Sequence, residues 1–162
     1  MRVHEFAFRS LEGASMPLNR WNGQPLLLVN TASECGFTPQ YTKLQALWDE
    51  YRPAGLVVVG IPCDDFGGQE PGDDQAIQEF CTSRFNVTFP MTEKQSIIGR
   101  NSHPLFKAMR EEYTSDILPT WNFFKYLFAR DGSFLHHWPS AIEPDEPGFR
   151  HELERNLGSW SL

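Results

Sequence analysis

Residues 26–61 decide the fold of this chain: they begin LLLVNTASECGFTPQY and end LVVVGI. The apolar runs 26–29 and 56–61 are short, rich in leucine and β-branched residues, and bounded by glycine or proline. This pattern is typical of strands buried on both faces. Between the runs, apolar residues recur at helical spacing at Tyr41, Leu44, Leu47, Trp48 and Tyr51. A parallel β-α-β crossover is therefore predicted, with helices covering the sheet.

Three further helices are predicted after this unit. One opens at Asp73 or Asp74, where a carboxylate can cap free backbone N–H groups, and its apolar face includes Cys81. Another follows Pro104 and has an apolar stripe formed by Leu105, Phe106, Met109 and Tyr113. The last helix has apolar residues at intervals of four, a spacing that packs one face onto a sheet, at Phe149, Leu153 and Leu157.

A hairpin completes the predicted sheet. Asp131 and Gly132 separate residues 123–129 from residues 134–138, which indicates two antiparallel strands joined by a tight turn. The predicted fold class is therefore α/β, with a central mixed β-sheet flanked by helices in a thioredoxin-like order. No repeat, low-complexity tract or linker interrupts the sequence, so residues 1–162 are predicted to form a single domain.

The composition restricts the possible partners and location. The chain is 40% apolar and 22% charged, as expected for a globular domain large enough to bury a core. A net charge of −7 without any run of Lys or Arg argues against nucleic acid or an anionic membrane surface, and favours a neutral or weakly charged substrate. No signal peptide and no apolar run long enough to span a bilayer is found, so a cytoplasmic location is expected.

Three cysteines are the candidate reactive groups: Cys35, Cys63 and Cys81. They form no CxxC pair and no zinc-site spacing, and an odd number in a reducing compartment indicates free thiols. Any of them could simply be a small buried hydrophobic residue. Cys35 stands apart because it follows a buried strand and precedes a helix, with Thr38 predicted as the N-cap and Pro39 as the first helical residue. A helix N-terminus favours a thiolate.

Four blocks of sequence resemble the glutathione peroxidase family in the right order: VNTASECGFTPQY, GIPCDDFGGQEPG, FCTSRFNVTFPM and WNFFKYLFARDG. The resemblance extends from about Val3 to the last helix. It implies a thioredoxin-like fold and a peroxidase in which a selenocysteine or cysteine occupies the position matched by Cys35. A lone ASxCG motif would be a weak signal, whereas several ordered blocks are a strong one.

The resemblance also implies a catalytic set, which consists of Cys35, Gln69, Trp121 and Asn122. Attack of a thiolate on an O–O bond expels an alkoxide or hydroxide, so neutral N–H donors directed at the sulfur and at the departing oxygen suit this chemistry. Gln69, Trp121 and Asn122 each offer such a donor. Taken alone, the three residues would be interpreted as a solvated loop residue, a core aromatic and a turn residue, respectively.

The other two cysteines receive different interpretations. Cys81 matches the resolving cysteine of the non-selenium, thioredoxin-using branch of the family, in which the sulfenic acid on the first cysteine condenses with a second thiol. The alternative is that Cys81 only packs in the core. A disulfide with Cys35 is expected to require unwinding of the helix that carries Cys81. Cys63 ends a buried strand and is interpreted as structural.

Two features depart from the family pattern. Asp64 and Asp65 stand where relatives carry Asn-Gln; these carboxylates would oppose a thiolate if they faced it, or they could face water, accept backbone hydrogen bonds, or pair with Lys125 or Arg130. The second departure is the lack of Arg in FLHHWPSAIEP, where many relatives carry a basic residue after the hairpin; His137 stands there instead. His136 and His137 are interpreted as solvated strand residues and not as metal ligands, because no third ligand is spaced nearby. The acidic loop 64–74 lacks the spacing of a calcium site.

The sequence as a whole predicts a thiol peroxidase that reduces hydrogen peroxide and organic hydroperoxides without a metal or organic cofactor. Thioredoxin is favoured over glutathione as the external reductant, because the chain has no basic cluster to hold an anionic tripeptide. A monomer is expected, since residues 103–121 carry no insertion of the kind that helps relatives form tetramers. Two rival functions stay open: a peroxide sensor that passes oxidation to a partner protein, and a silent thioredoxin-like binding module.

Overall fold

The computed structural model describes residues 1–157. Its regular elements are six strands, four α-helices and four short 3-10 helices. The strands are β1 (Ala7–Arg9), β2 (Ser15–Pro17), β3 (Leu26–Thr31), β4 (Val57–Pro62), β5 (Lys125–Phe128) and β6 (Phe134–Trp138). The α-helices are α1 (Gln40–Tyr51), α2 (Asp74–Phe85), α3 (Pro104–Tyr113) and α4 (Pro147–Arg155), and the 3-10 helices are Val3–Glu5, Leu18–Trp21, Arg52–Ala54 and Ser115–Ile117.

The central sheet has four strands in the order β4-β3-β5-β6, and β1 and β2 form a separate antiparallel pair. β3 and β4 run parallel with Leu26 opposite Val57, whereas β5 runs antiparallel to both β3 and β6. The parallel pair requires a crossover, which α1 supplies. The predicted β-α-β unit, the hairpin and the mixed α/β sheet are therefore confirmed.

The two faces of the sheet bury different helices. Residues of β3 alternate between the faces: Leu27 and Val29 pack in a cluster with α1, α2 and α4, whereas Leu26 and Leu28 pack in a cluster with α3. All six residues of β3 and all six of β4 are buried, because helices cover both faces of these strands. The carboxyl end of β3, where the loop to α1 begins, is therefore fixed within the core.

The predicted helix boundaries are confirmed at α2 and wrong at α1. Asp73 is the N-cap of α2, and its side chain accepts a hydrogen bond from Ala76 N. Thr38 does not cap α1, because the helix begins at Gln40 and Pro39 occupies the N-cap position without a side-chain cap. The Thr38 side chain turns back into the preceding loop instead, where it contacts the residues around Cys35. Within residues 1–157, no helix is both long and apolar enough to cross a bilayer.

Candidate active site

Cys35 lies in the loop between β3 and α1 and is held by its neighbours. Its backbone N–H donates to Thr38 Oγ1 at 3.0 Å, and the Thr38 hydroxyl donates to Ala32 O at 2.8 Å. Phe37 N donates to Cys35 Sγ at 3.3 Å. The side chain is 8% exposed. The sulfur is therefore fixed in place, close to the surface, with a backbone donor directed at it.

Gln69 and Asn122, predicted from the resemblance, are in direct contact. Asn122 is fully buried, and its Nδ2 donates to Gln69 Oε1 at 3.0 Å. Because Asn122 donates to the side-chain oxygen of Gln69, the side-chain NH₂ group of Gln69 points away from Asn122. Glu34 N donates to Gln69 O at 3.0 Å, so the residue before Cys35 is bonded to the Gln69 backbone. The structure thus brings the loop of Cys35, Gln69 and Asn122 together.

Trp121, the fourth predicted residue, is half-buried beside the glycine-rich loop. A Cβ atom at Gly67 would lie 2.8 Å from Trp121 Cη2, and Gly67 also has a φ of +70°, so only glycine suits this position. The Trp121 ring also packs against Phe66, with 6.4 Å between ring centroids. The tryptophan therefore fixes the distance between residues 66–69 and its own segment.

Asn30 was not identified from the sequence, yet it holds the segment that carries Trp121 and Asn122. Its Nδ2 donates to Trp121 O at 2.9 Å, and its Oδ1 accepts from Phe124 N at 3.0 Å. Its backbone oxygen accepts from Phe123 N at 2.6 Å, and Phe123 adopts a φ of +65°. A polar residue inside an otherwise apolar buried strand was the available signal, because such a side chain needs hydrogen-bond partners.

Lys125 and Ser140 form a second support behind Asn122. Lys125 is fully buried, and its Nζ donates to Ser140 O at 3.1 Å and to Ile142 O at 2.6 Å. The Ser140 hydroxyl donates to Asn122 O. Burial lowers the pKa of Lys125 to about 7. The sequence suggested Lys125 as a partner for the aspartates, and this interpretation is wrong, because its amine is used by backbone carbonyls of the loop after β6.

The two aspartates that depart from the family pattern accept backbone hydrogen bonds. Asp64 Oδ1 accepts from Glu70 N at 2.9 Å, and Asp65 Oδ2 accepts from Ile97 N at 2.7 Å. Arg130, the other suggested partner, donates to Leu157 O instead. Of the roles that the sequence left open, the structure therefore supports the acceptance of backbone hydrogen bonds. Asp64 closes the loop 64–70 that carries Gln69, and Asp65 connects the start of this loop to Ile97 and Ile98.

Cys63 and Cys81 are free, buried thiols, and Cys35 is also free. Cys63 is fully buried at the end of β4, and burial raises its pKa to about 12. Cys81 is 3% exposed in α2, and burial raises its pKa to about 11, with the Tyr41 hydroxyl opposing the rise and the Glu70 carboxylate adding to it. Both thiols are therefore protonated at neutral pH.

Histidines near the hairpin do not lie with other metal-binding side chains. His136 is exposed, and its Nδ1 lies 3.0 Å from His137 O. Throughout the described part of the chain, no three or more His, Cys, Asp or Glu side chains are grouped as metal ligands would be. Cys35 itself is hydrogen-bonded to the Thr38 hydroxyl and to the Phe37 N–H.

Fold and site together define a thiol-dependent redox protein. The α/β sheet carries a cysteine in the loop after β3, and this loop is hydrogen-bonded to the backbone of Gln69, whose side chain pairs with Asn122. Comparisons with known structures confirm the thioredoxin-like fold. A thioredoxin-family thiol:disulfide interchange protein from Chlorobium tepidum matches with a TM-score of 0.68 at 13% identity, covering 98% of this chain and 97% of that one. At this identity the likeness shows the fold alone.

The family is shown by closer matches. The glutathione peroxidase family profile matches residues 3–110. Hydroperoxy fatty acid reductase gpx1 of Synechocystis is 41% identical over 152 residues, covering 89% of this chain and 90% of the relative. Glutathione peroxidase-like peroxiredoxin GPX5 of Chlamydomonas reinhardtii is 42% identical over 152 residues, covering 93% of both. Trypanosoma cruzi GPX1 matches in structure with a TM-score of 0.75 at 28% identity, covering 98% of this chain and 97% of that one.

This chain belongs to the glutathione peroxidase family and is a thiol peroxidase. The predicted family and enzyme class are therefore confirmed.

Proposed function

We propose that the protein reduces hydroperoxides through a cycle that uses Cys35 and Cys81, with thioredoxin as the reductant. The observation that carries the proposal is the geometry at Cys35. Its sulfur accepts a hydrogen bond from Phe37 N at 3.3 Å, and its loop is bonded to the Gln69 backbone, which leads to the amide pair of Gln69 and Asn122. These donors match the needs of a reaction that moves negative charge from sulfur to oxygen.

In the first step, the Cys35 thiolate attacks the outer oxygen of ROOH. The O–O bond breaks, an S–O bond forms, and the departing alkoxide takes a proton to become ROH. Cys35 is left as a sulfenic acid. Gln69, Trp121 and Asn122 are proposed to donate hydrogen bonds during this step, because each side chain carries a neutral N–H group that does not repel a negatively charged oxygen. The cycle requires no metal or organic cofactor.

In the second step, Cys81 condenses with the Cys35 sulfenic acid to form a disulfide and water. Both cysteines belong to the same buried cluster beneath α1, which supports this pairing. Cys63 belongs to the cluster on the opposite face of the sheet, which supports its exclusion. Since Cys81 is buried in α2, the helix is expected to open locally for the disulfide to form.

Thioredoxin is proposed to reduce the disulfide, and a monomer in the cytoplasm is the proposed working form. Lys125 supports the choice of reductant, because its amine is occupied by two carbonyl groups and cannot hold an anionic tripeptide. Three free thiols support a reducing compartment. The names of relatives include a hydroperoxy fatty acid reductase, which supports organic hydroperoxides as substrates in addition to hydrogen peroxide.

A coupled assay tests the proposal. Peroxide-dependent oxidation of NADPH is measured with thioredoxin and thioredoxin reductase for the parent protein, Cys35→Ser, Cys81→Ser and the matched control Cys63→Ser. We expect turnover in the parent and in Cys63→Ser, and no turnover in the other two. Turnover that persists in Cys81→Ser would overturn the resolving role. Turnover that appears only when glutathione replaces thioredoxin would overturn the choice of reductant, and a specific mixed disulfide with another protein would favour a sensor.

A further inference from the structure

The loop that follows β6 contacts the back of the candidate site through Ser140. This residue is buried and lies two positions beyond the end of β6. Its hydroxyl donates to Asn122 O, and its backbone oxygen accepts from Gln40 Nε2 at 2.7 Å and from Lys125 Nζ at 3.1 Å. Gln40 is the first residue of α1, the helix that follows the loop of Cys35. Ser140 therefore connects the segment of Asn122 to the start of α1.

Hydrogen bonds on the amino-terminal side of Cys35 lead to the same segment. Glu34 N donates to Gln69 O at 3.0 Å. The side-chain oxygen of Gln69 accepts from Asn122 Nδ2 at 3.0 Å, and Asn122 is fully buried. Because the Ser140 hydroxyl donates to Asn122 O, consecutive hydrogen bonds connect the residue before Cys35 to Ser140.

Hydrogen bonds on the carboxyl-terminal side of Cys35 lead to Ser140 as well. Phe37 N donates to Cys35 Sγ at 3.3 Å, and Gln40 N donates to Phe37 O at 2.9 Å. The Gln40 side chain is buried and donates to Ser140 O. The two paths therefore meet at Ser140 and close a ring of hydrogen bonds that includes the reactive sulfur. This hydrogen-bonded ring runs from Cys35 and Glu34 through Gln69, Asn122 and Ser140 to Gln40.

The Ser140 hydroxyl is the link through which this ring can be opened without removing a group near the sulfur. If the hydroxyl is lost, Ser140 O still accepts from Gln40 and Lys125, so the loop after β6 stays attached to α1. Only the buried Asn122 O loses its partner at this link. Alignment of donors with reacting atoms contributes strongly to the rate of an enzymatic step, and a displacement of about 1 Å can cost about 10²-fold.

We propose that Ser140 is a positioning residue for the oxidation of Cys35: its hydroxyl closes the hydrogen-bonded ring and so holds the amide pair of Gln69 and Asn122 at a fixed distance from the sulfur. Ser140 takes no part in the bonds that form or break. The inference rests on the proposed role of Asn122 in peroxide reduction, and it is independent of the resolving role of Cys81.

The test separates the two chemical steps by stopped-flow tryptophan fluorescence after mixing reduced enzyme with hydrogen peroxide. The first phase reports oxidation of Cys35, and the slower phase reports disulfide formation. Ser140→Ala is expected to lower the rate of the first phase about tenfold, because the amide pair is no longer held in place. Ser140→Thr keeps the hydroxyl and is expected to bring this rate back to within about threefold of the parent.

Ser133→Ala is the matched control, because it also removes one serine hydroxyl next to β6. Ser133 directly precedes this strand, and its Oγ donates to Asp131 Oδ1 at 2.6 Å, away from the hydrogen-bonded ring. The control should leave the rate of the first phase within about twofold of the parent. Thermal unfolding of each variant shows that it is folded at the temperature of the kinetic measurement.

A double-mutant cycle distinguishes positioning from a general loss of packing. In Asn122→Ala the ring is already open between Asn122 and Gln69, so the further change Ser140→Ala should alter the rate of the first phase by less than about twofold. Rate losses that multiply in the double variant, or parent-like oxidation of Cys35 in Ser140→Ala, would overturn the role of Ser140. Unaltered oxidation in Asn122→Ala would instead overturn the proposed role of the amide pair, on which this inference rests.

Discussion

Cys35 and Cys81 lie in the same buried cluster beneath α1, yet their surroundings differ in kind. Cys35 lies in a loop, is 8% exposed, and accepts a hydrogen bond from Phe37 N at 3.3 Å. Cys81 lies within a helix, is 3% exposed, and has a pKa raised by burial to about 11. The Cys35 sulfur lies near the surface beside one backbone donor, whereas the Cys81 thiol is buried in a helix, where burial raises its pKa.

This difference shows how one chain can set the order in which two thiols react. A protonated thiol is a poor nucleophile towards peroxide, so the proposed cycle predicts that Cys81 does not compete with Cys35 for substrate. In that cycle Cys81 reacts only after Cys35 is oxidised. Substitutions on each side of this contrast test it, and the strongest effect is expected for Cys35→Ser.

Replacement of the reactive sulfur should have the largest effect. Cys35→Ser is expected to lower the second-order rate constant for peroxide reduction by at least roughly 10³-fold, because a serine hydroxyl is not an effective nucleophile towards an O–O bond. The measurement is loss of peroxide under single-turnover conditions. Substantial residual reduction that disappears in Cys35→Ser/Cys81→Ser would mean that Cys81 also reacts directly with peroxide.

Disruption of the amide pair formed by Gln69 and Asn122 should have the second-largest effect. Asn122→Ala removes the donor to Gln69 Oε1 and is expected to lower the rate of Cys35 oxidation by about 10²-fold, the size of effect seen when one preorganised donor is lost. The rate of the first stopped-flow phase is the measurement. Asn101→Ala, at an exposed asparagine, is the control. Unaltered oxidation of Cys35 in Asn122→Ala would exclude Asn122 from the reaction.

Lys125 and Glu70 should give stability a pH dependence of opposite sign. The pKa of Lys125 falls on folding from 10.5 to about 7, so the unfolded chain binds more protons between these values and stability should rise with pH there. Over two pH units this amounts to about 2 kcal/mol. Urea unfolding of the parent at pH 7 and pH 9 should show this gain, and Lys125→Met should lack it.

Glu70 has a pKa raised from 4.5 to about 7, so the folded chain binds more protons in that window and stability should fall as the pH rises through it. Glu70→Gln should therefore melt higher than the parent at pH 8, by at least about 3 °C. A lower melting temperature for Glu70→Gln at pH 8 would show that the carboxylate is stabilised in the folded state, contrary to the effect of its burial.

The support of the Cys35 loop should have a smaller effect. Thr38→Val removes the acceptor of Cys35 N and the donor to Ala32 O, and two buried backbone groups lose their partner. The expected cost is about 1–3 kcal/mol of stability, with a rate of Cys35 oxidation lowered about tenfold by the displaced loop. Thr42→Val, at an exposed position of α1, is the matched control. Equal behaviour of the two variants would mean that the loop does not depend on Thr38.

Removal of the third thiol should change least. Cys63→Ala is expected to leave both kinetic phases within about twofold of the parent, because Cys63 is fully buried on the opposite face of the sheet. Asp65 N donates to Cys63 Sγ at 3.4 Å, and Cys63→Ala removes this hydrogen bond. Loss of disulfide formation in this variant would mean that Cys63, and not Cys81, captures the sulfenic acid.

The fold could be predicted from the sequence where one local pattern decides an element. The two apolar runs around α1, the turn at Asp131 and Gly132, and the cap at Asp73 are all confirmed, because burial, backbone conformation and capping act over a few residues. Thr38 was wrongly predicted as a helix cap. The Thr38 hydroxyl can hydrogen-bond either to the first turn of the helix or to the preceding loop. A sequence pattern does not show which of these backbone groups lacks another partner.

The supports of the candidate site were largely invisible in the sequence for a related reason. Asn30 and Lys125 act through contacts with residues distant in the chain, such as Trp121 and Ser140, and a polar residue in an apolar run does not reveal its partner. Gln69, Trp121 and Asn122 were predicted only through resemblance, and the structure brings Gln69 and Asn122 into contact. Local chemistry thus indicated Cys35, whereas the surrounding network required the folded chain.

Peptide mapping of the fully reduced protein after addition of one equivalent of hydrogen peroxide tests the central claim most directly. Mass spectrometry under non-reducing conditions identifies the oxidised cysteines. The two-thiol cycle predicts a Cys35–Cys81 disulfide, with Cys63 unmodified, and a trapped Cys35 sulfenic acid in Cys81→Ser. Oxidation first at Cys81 or Cys63, with Cys35 still reduced, would contradict the assignment of Cys35 as the thiol that meets peroxide.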